Sequence, residues 1–405
     1  MDINKIREQF PILSIKIDGK SYYYFDNAAT TQKPQKVIDT VNEIYSLQNS
    51  NIHRGAHYLS NLLTDRFEQA RIKVQHFINA EHREEIIFTY GTTSSINLLS
   101  YSFGEAFVGE GDEIITTELE HHSNIVPWQI LCERKNAVLK YIPLAKDGAL
   151  DIDKLEPLIT PKTKLVTIAQ VANSTGSVND VKKVVKIAHS RNIPVLIDAA
   201  QSIQHMKVDV QELDCDFLAF SGHKIYGPTG IGVLYGKKEW LEKLPPFMGG
   251  GEMIDRVTME RTTYNSLPFK FEAGTPNYVG AIGLGAAIDF VNEVGIEEIA
   301  SYEKSLYDYA LQKAEENTNL RIIGPETGKI SVLSFVHKSI PSGDLGFFLD
   351  KWGIAIRTGN HCAQPAMDFF GVPGTARLSI AMYNTREEVD YFFEKLKEAE
   401  LFFGV

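Results

Sequence analysis

Short apolar runs alternate with longer segments in which apolar residues recur at helical spacing through the middle of the chain. Residues 85–89 (EIIFT), 112–116 (DEIIT), 139–143, 164–171, 194–198, 216–220 and 230–235 predict seven strands. Several are continuous β-branched stretches, as expected of strands covered on both faces. Residues 35–47, 61–79, 94–100, 124–134, 153–158 and 180–191 predict helices. Such alternation predicts an α/β fold with a mostly parallel sheet covered by helices. After about Pro276 the pattern changes. A helical stretch over 280–316 with a break near Gly295 leads to strands at 330–335, 354–357 and 376–382 and a final helix at 386–402. Strands beside segregated helices predict a smaller α+β domain. The expected division is a large domain over residues 25–280 and a small one made of 1–24 and 281–405. The Gly283-Leu284-Gly285 stretch follows no strand, so it predicts close helix packing rather than a dinucleotide site.

Composition narrows the choice of function. The 405 residues are 43% hydrophobic and 23% charged, a globular balance. The net charge of −11 argues against a nucleic-acid or anionic membrane partner, while leaving room for a local pocket for a small anion. Three cysteines cannot build a disulfide framework, which points to a reducing, cytoplasmic setting. The opening MDINKIREQF is charged throughout, unlike a signal peptide, and no apolar run reaches the ~18 residues of a membrane span.

Open parallel sheets bind ligands beyond the carboxyl ends of their strands. The first predicted strand is followed by Tyr90-Gly91-Thr92-Thr93-Ser94, which supplies a Gly turn, hydroxyls and a helix start, the ingredients of a phosphate cradle. The second is followed by Glu120-His121-His122-Ser123-Asn124; paired histidines suggest a metal, but further ligands at suitable spacing are lacking. Asn173-Ser174-Thr175-Gly176 follows the fourth strand, and Asp198-Ala199-Ala200-Gln201 closes the fifth. A carboxylate there needs a cationic partner, and a ring nitrogen would serve. Ser221-Gly222-His223-Lys224 follows the sixth; a Lys entering a crevice can lose its proton and become a nucleophile. In the smaller domain, Cys362 sits on a Gly-containing loop near Arg357 and His361, neighbours that favour thiolate. Cys132 and Cys215 fall in an amphipathic helix and at an apolar strand and read as inert core. Taken together, a phosphate cradle, a His able to stack, an acid and a Lys at successive strand ends meet the needs of pyridoxal 5'-phosphate.

At this point the chain closely resembles class II cysteine desulfurases of the SufS/CsdA type, within the fold-type I pyridoxal phosphate enzymes. The resemblance runs nearly end to end. Its motifs are Tyr24-Phe25-Asp26-Asn27-Ala28-Ala29-Thr30-Thr31-Gln32-Lys33-Pro34, Asn51-Ile52-His53-Arg54-Gly55, Gly91-Thr92-Thr93, Glu120 to Trp128, Ser221 to Pro228, Phe271 to Asn277 and Arg357-Thr358-Gly359-Asn360-His361-Cys362. The last, RxGxHC, marks class II. The resemblance implies that Lys224 holds the cofactor as a Schiff base, Asp198 pairs with its ring nitrogen and Gln201 bonds its ring oxygen. It implies that His121 stacks on the ring, and that Thr92, Thr93, Ser221 and His223 hold the phosphate, with Thr275 reaching in from the other subunit of a homodimer. Asn173 and Arg377, with His53 and Arg357 nearby, would hold the carboxylate of L-cysteine, and Cys362 would accept its sulfur. A SufE- or SufU-type protein would then collect the sulfur for iron–sulfur cluster assembly. Tyr90 departs from the family, whose members often carry Arg before Gly-Thr-Thr. Selenocysteine lyase activity, another fold-type I reaction such as transamination, and a non-catalytic sulfur-trafficking scaffold are the competing readings. The first would not require Cys362, the RxGxHC loop argues against the second, and a scaffold needs none of Lys224, Asp198, His121 and Cys362.

Overall fold

The computed structural model describes residues 1–405. Its centre is a seven-stranded sheet built from Ile86–Thr89 (β1), Glu113–Thr117 (β2), Val138–Ile142 (β3), Thr163–Ala169 (β4), Val195–Asp198 (β5), Phe217–Ser221 (β6) and Gly232–Gly236 (β7). The spatial order is β1-β7-β6-β5-β4-β2-β3. All seven lie within two residues of their sequence expectation. The sheet is parallel except for β7, which runs antiparallel to both β1 and β6. The continuous apolar runs arise because side chains alternate between two covered faces. In β5, Val195 and Ile197 enter the core that also holds Phe67, Val74 and Ile288. Leu196 enters the opposite core with Ile96, Leu99 and Trp128.

The smaller domain has a four-stranded antiparallel sheet, Leu320–Ile322, Val332–His337, Thr375–Ser379 and Arg357–Gly359 in that order. Helices Ile296–Glu316, Ser342–Asp350 and Arg386–Phe403 cover it through Leu306, Leu345, Phe392 and Leu396. The expected strand at 354–357 is split. Ile354–Ala355 pairs with Tyr23–Tyr24, and Arg357–Gly359 joins the sheet. The exposed hairpin of Ile254–Val257 and Thr262–Tyr264 was not legible in the sequence.

The domain boundary moves. Helix Tyr278–Val294 buries Ile282, Leu284, Ile288 and Val291 in the large core, because it is apolar on nearly every side. Cβ atoms at Gly283 and Gly285 would press on Pro228 and Ala70, so these glycines serve close packing, as expected. The chain then bends by 73° at Gly295, whose φ is +92°. The large domain therefore runs past residue 280 to that bend. The N-terminal segment is shared: Phe10 packs on Tyr226, Phe290 and Tyr383 in the large core, while Tyr23–Tyr24 pairs with the small domain. No single helix is long and apolar enough to cross a membrane.

Candidate active site

A cavity of about 240 Å³ opens at the carboxyl ends of the parallel strands, along the seam with the small domain. Among its lining residues are Thr92, Thr93, His121, Asn173, Asp198, Gln201, Ser221, His223, Lys224, Arg357, Cys362 and Arg377. Twelve of the fourteen residues singled out by sequence thus share one cavity. The exceptions are His53 and Thr275. His53, at φ +68°, stands edge-on to Phe67 and Phe269, 3.7 Å from Glu68 and 3.9 Å from Glu252, outside the cavity of its own chain. Thr275 is exposed and likewise does not line it.

One end of the cavity is a cradle for an anion. Helix Thr92–Phe107 begins after Gly91, whose φ of +145° belongs to a region open almost only to glycine. Gly91 provides no side-chain cap, so the N–H groups of the first turn beyond Thr92 remain available. Thr92 N–H donates to Ser221 Oγ at 2.8 Å, and the two hydroxyls lie 2.8 Å apart. Strand β7 brings Gly232 so close that a Cβ there would overlap the Gly91 backbone.

The middle holds the titratable groups. Asp198 is buried at the end of β5, and its carboxylate accepts only from the Ala200 N–H (2.9 Å). Burial raises its pKa to about 6, against the opposing pull of that bond and of Lys224. Lys224 opens into the cavity on one side and is enclosed by protein on the others. Burial chiefly, helped by Arg377, lowers its pKa to about 7. Its Nζ and Gln201 Nε2 both donate to the Ala28 carbonyl. Burial, with Lys224, His122 and Arg377, lowers His121 to about 4. Its Nδ1 accepts from Ser123 N–H at 3.1 Å, which leaves the Nε2–H to donate elsewhere. Burial lowers His223 to about 4 as well. Behind the Lys224 turn, Lys33 donates to the Thr31 and His223 carbonyls, and burial lowers it to about 7.

The mouth is cationic. Arg377 is 1% exposed, donates to Asn173 O at 2.8 Å and meets Asp26 at 3.4 Å. Burial lowers its pKa to about 10 despite Asp26. Arg357 donates to both Asp26 oxygens at 3.1 and 3.2 Å, and this pairing raises its pKa. Cys362 is exposed at this end, whereas Cys132 and Cys215 are buried and their thiols are pushed up by desolvation. Asp26, the Ala28 carbonyl, Lys33 and Ser123 were missed as individual site residues. The first three lie within the quoted stretch from Tyr24 to Pro34 and Ser123 within that from Glu120 to Trp128, so the motif, not the residue type, was their signal.

Fold and site define an α/β enzyme with a lysine and a thiol facing one cavity, and comparison with known proteins gives the family. The aminotransferase class-V family matches residues 23–392, and the chain belongs to it. A probable cysteine desulfurase of Halalkalibacterium halodurans is 48% identical over 404 residues, covering 100% of this chain and 99% of that protein. The cysteine desulfurase of Serratia proteamaculans is 48% identical over 403 residues, 99% of each. Among solved structures, the cysteine desulfurase CsdA of Escherichia coli, in an S-sulfonic acid form, superposes with a TM-score of 0.92 at 39% identity, covering 98% of each chain. The fold is also that of C-DES (TM-score 0.84, 21% identity, 96% of this chain and 98% of that one).

Proposed function

We propose that this protein is a pyridoxal phosphate-dependent cysteine desulfurase, which converts L-cysteine to L-alanine and takes the sulfur onto Cys362 as a persulfide. The observation that carries the reading is the placing of an exposed thiol, Cys362, and an enclosed lysine of lowered pKa, Lys224, on one cavity. The near-full-length likeness to cysteine desulfurases supports it.

The residues present fit pyridoxal phosphate. Asp198 is a buried carboxylate without a cationic partner bonded to it, and a ring N–H⁺ completes it. Gln201 Oε1, Asn173 Oδ1 and Arg377 Nε are buried and unpartnered, and a ligand in the cavity gives them partners. Thr92, Thr93, Ser221 and His223 surround the anion end and hold the phosphate. When bound, the cofactor supplies an electron sink that acidifies the substrate Cα–H and makes its sulfur electrophilic. Lys224 Nζ, whose pKa burial lowers to about 7, would hold the aldehyde, and its free amine is the base placed to take the substrate Cα proton. Arg377, with Asn173 and Arg357, binds the substrate carboxylate; Asp26 keeps both guanidinium groups aimed. His121, which lines the cavity, would lie against the ring, with its Nε2–H free to donate. Cys362 Sγ attacks the substrate sulfur: an S–S bond forms, the substrate C–S bond breaks, and the carbon skeleton gains a proton to leave as alanine. One thiol and one cysteine thus become one persulfide and one alanine, with no external oxidant.

The functional unit is a homodimer. Tyr45, Leu47 and Tyr58, within eight residues of His53 in the chain, are large apolar side chains left exposed, and Thr275 stands on a loop whose start is fixed by the buried Glu272. Thr275, exposed and outside its own cavity, acts at the cavity of the second copy, and His53, also outside, belongs to that seam. In the cytoplasm, a SufE- or SufU-type acceptor collects the sulfur for iron–sulfur clusters. Selenocysteine lyase action is not favoured, since it gives no role to a thiol at the mouth. The test is intact and peptide mass analysis after incubation with L-cysteine. The expected result is one added sulfur on Cys362, alanine as product, no alanine from Cys362→Ala, and neither cofactor absorbance nor alanine from Lys224→Ala. Alanine formation by Cys362→Ala at the wild-type rate refutes the persulfide step.

A further inference from the structure

We infer that His122 is a positioning residue that pins the Cys362 loop to the large domain; this rests on the reading of Cys362 as sulfur acceptor. The loop has an unusual backbone. His361 and Cys362 are consecutive non-glycine residues at φ +53° and +56°, left-handed conformations that persist only where surroundings hold them. Within the small domain, Cys362 N–H donates to Asn360 Oδ1 at 3.0 Å, and His361 Nε2 lies 2.7 Å from Thr375 Oγ1. The other holds cross the domain seam. Asn173 Nδ2 donates to His361 O at 2.6 Å. His122 contributes two bonds by itself: its N–H donates to Cys362 O at 2.7 Å, and its Nε2 accepts from Gln364 N–H at 3.1 Å.

These two bonds flank Ala363, which is fully buried, so the chain is fixed on both sides of the point where it turns inward. The acceptor role requires Nε2 without a proton, which places the ring proton on Nδ1. His121, the preceding residue, lines the cavity. The 121–122 pair therefore spans from the cofactor cavity to the thiol loop. Beyond Cys362, Ala363, Ala366 and Met367 pack on Leu119, Leu144 and Ala172 of the large domain, and the Gln364 bond is the directional side-chain hold added to that apolar contact. Without it the turn at Cys362 is less fixed and Sγ spends less time facing the substrate sulfur. His122 itself touches neither substrate nor cofactor.

The test compares His122→Leu, which cannot accept a hydrogen bond, with His122→Gln, whose Oε1 can. Three readings are taken on holoenzyme: single-turnover persulfide formation on Cys362, alkylation of Cys362 by iodoacetamide, and solvent exchange of the Cα hydrogen of L-alanine, which calls on Lys224 and not on the thiol. Relative to exchange, persulfide formation is expected to fall about tenfold in His122→Leu, the loss that one hydrogen bond commands, and to recover by more than half in His122→Gln. Alkylation is expected to quicken severalfold in His122→Leu as the loop loosens. Wild-type persulfide formation and alkylation in His122→Leu overturn the inference. So does an equal loss in both variants that is matched by lost exchange, because that marks general damage. Should the wild type itself form no persulfide, the functional reading fails, while the alkylation comparison still decides whether His122 pins the loop.

Discussion

Replacing Asp198 with Asn separates what this residue does for cofactor binding from what it costs the folded chain. Asp198 is 4% exposed, and burial moves its pKa from 3.8 to about 6. At ~1.36 kcal/mol per tenfold, the ionised carboxylate costs the cofactor-free fold roughly 3 kcal/mol. The sign follows from proton binding. The folded chain holds this proton more tightly than the unfolded chain between about pH 4 and 6, so stability falls as pH rises through that window. Above about pH 6 the penalty is complete. Asn keeps an oxygen for the Ala200 N–H but buries an amide, which returns about 1 kcal/mol of the gain. Cofactor-free Asp198→Asn should therefore be more stable than the wild type by ~2 kcal/mol at pH 8. With ~2.1 cal/mol/K of unfolding entropy per residue, this is about 2 °C in Tm. The carboxylate penalty itself shrinks by roughly half at pH 5. With pyridoxal phosphate bound, the order reverses, because only the carboxylate can pair with a cationic ring nitrogen. Differential scanning calorimetry of both proteins, with and without cofactor at pH 5 and 8, measures all four differences. A cofactor-free Asp198→Asn that melts below the wild type at pH 8, or a difference independent of pH, refutes the reasoning.

Other perturbations probe other parts of the site. Capture of pyridoxal phosphate by the cofactor-free chain should accelerate as pH rises through about 7, the point to which burial lowers Lys224, and stopped-flow absorbance follows it. A midpoint near 10 contradicts the enclosed amine. Gly232→Ala drives a Cβ into the Gly91 backbone, and a strain of about 1–3 kcal/mol should weaken cofactor affinity roughly tenfold by fluorescence titration. Glu272→Ala takes from the fully buried Arg71 the carboxylate that holds it at 2.7 and 2.9 Å and leaves it to Glu68 at 3.1 and 3.2 Å, so thermal stability should fall by about 1–3 kcal/mol; no measurable loss counts against the pair.

The alternation of apolar runs and helical spacing located all seven central strands to within two residues, because each is a local signal. A strand covered on both faces needs a continuous apolar run, and β4, β5 and β6 have one. The chemistry was legible for a related reason. Strand ends in an open parallel sheet converge on one edge, so Asp198, Ser221 and Lys224 could be assigned to a common cavity from position alone. The helix Tyr278–Val294 was misassigned because an element apolar on all sides carries no indication of which core claims it. The antiparallel direction of β7 carries no mark in its composition and follows instead from its connection, since Gly232–Gly236 comes too soon after β6 for the crossover helix a parallel neighbour needs.

What the sequence by itself determined is therefore the α/β class, the strand boundaries and the residue types present at each strand end, all of which depend on neighbours a few positions away. Only the tertiary structure decided which distant groups meet. Asp26 holds Arg357 and Arg377 across 331 and 351 positions, and Gln364 finds His122 across 242. Such pairings carry no periodicity, because they are set by how two domains dock rather than by the repeat of a helix or strand. That docking puts Cys362 beside the lysine cavity.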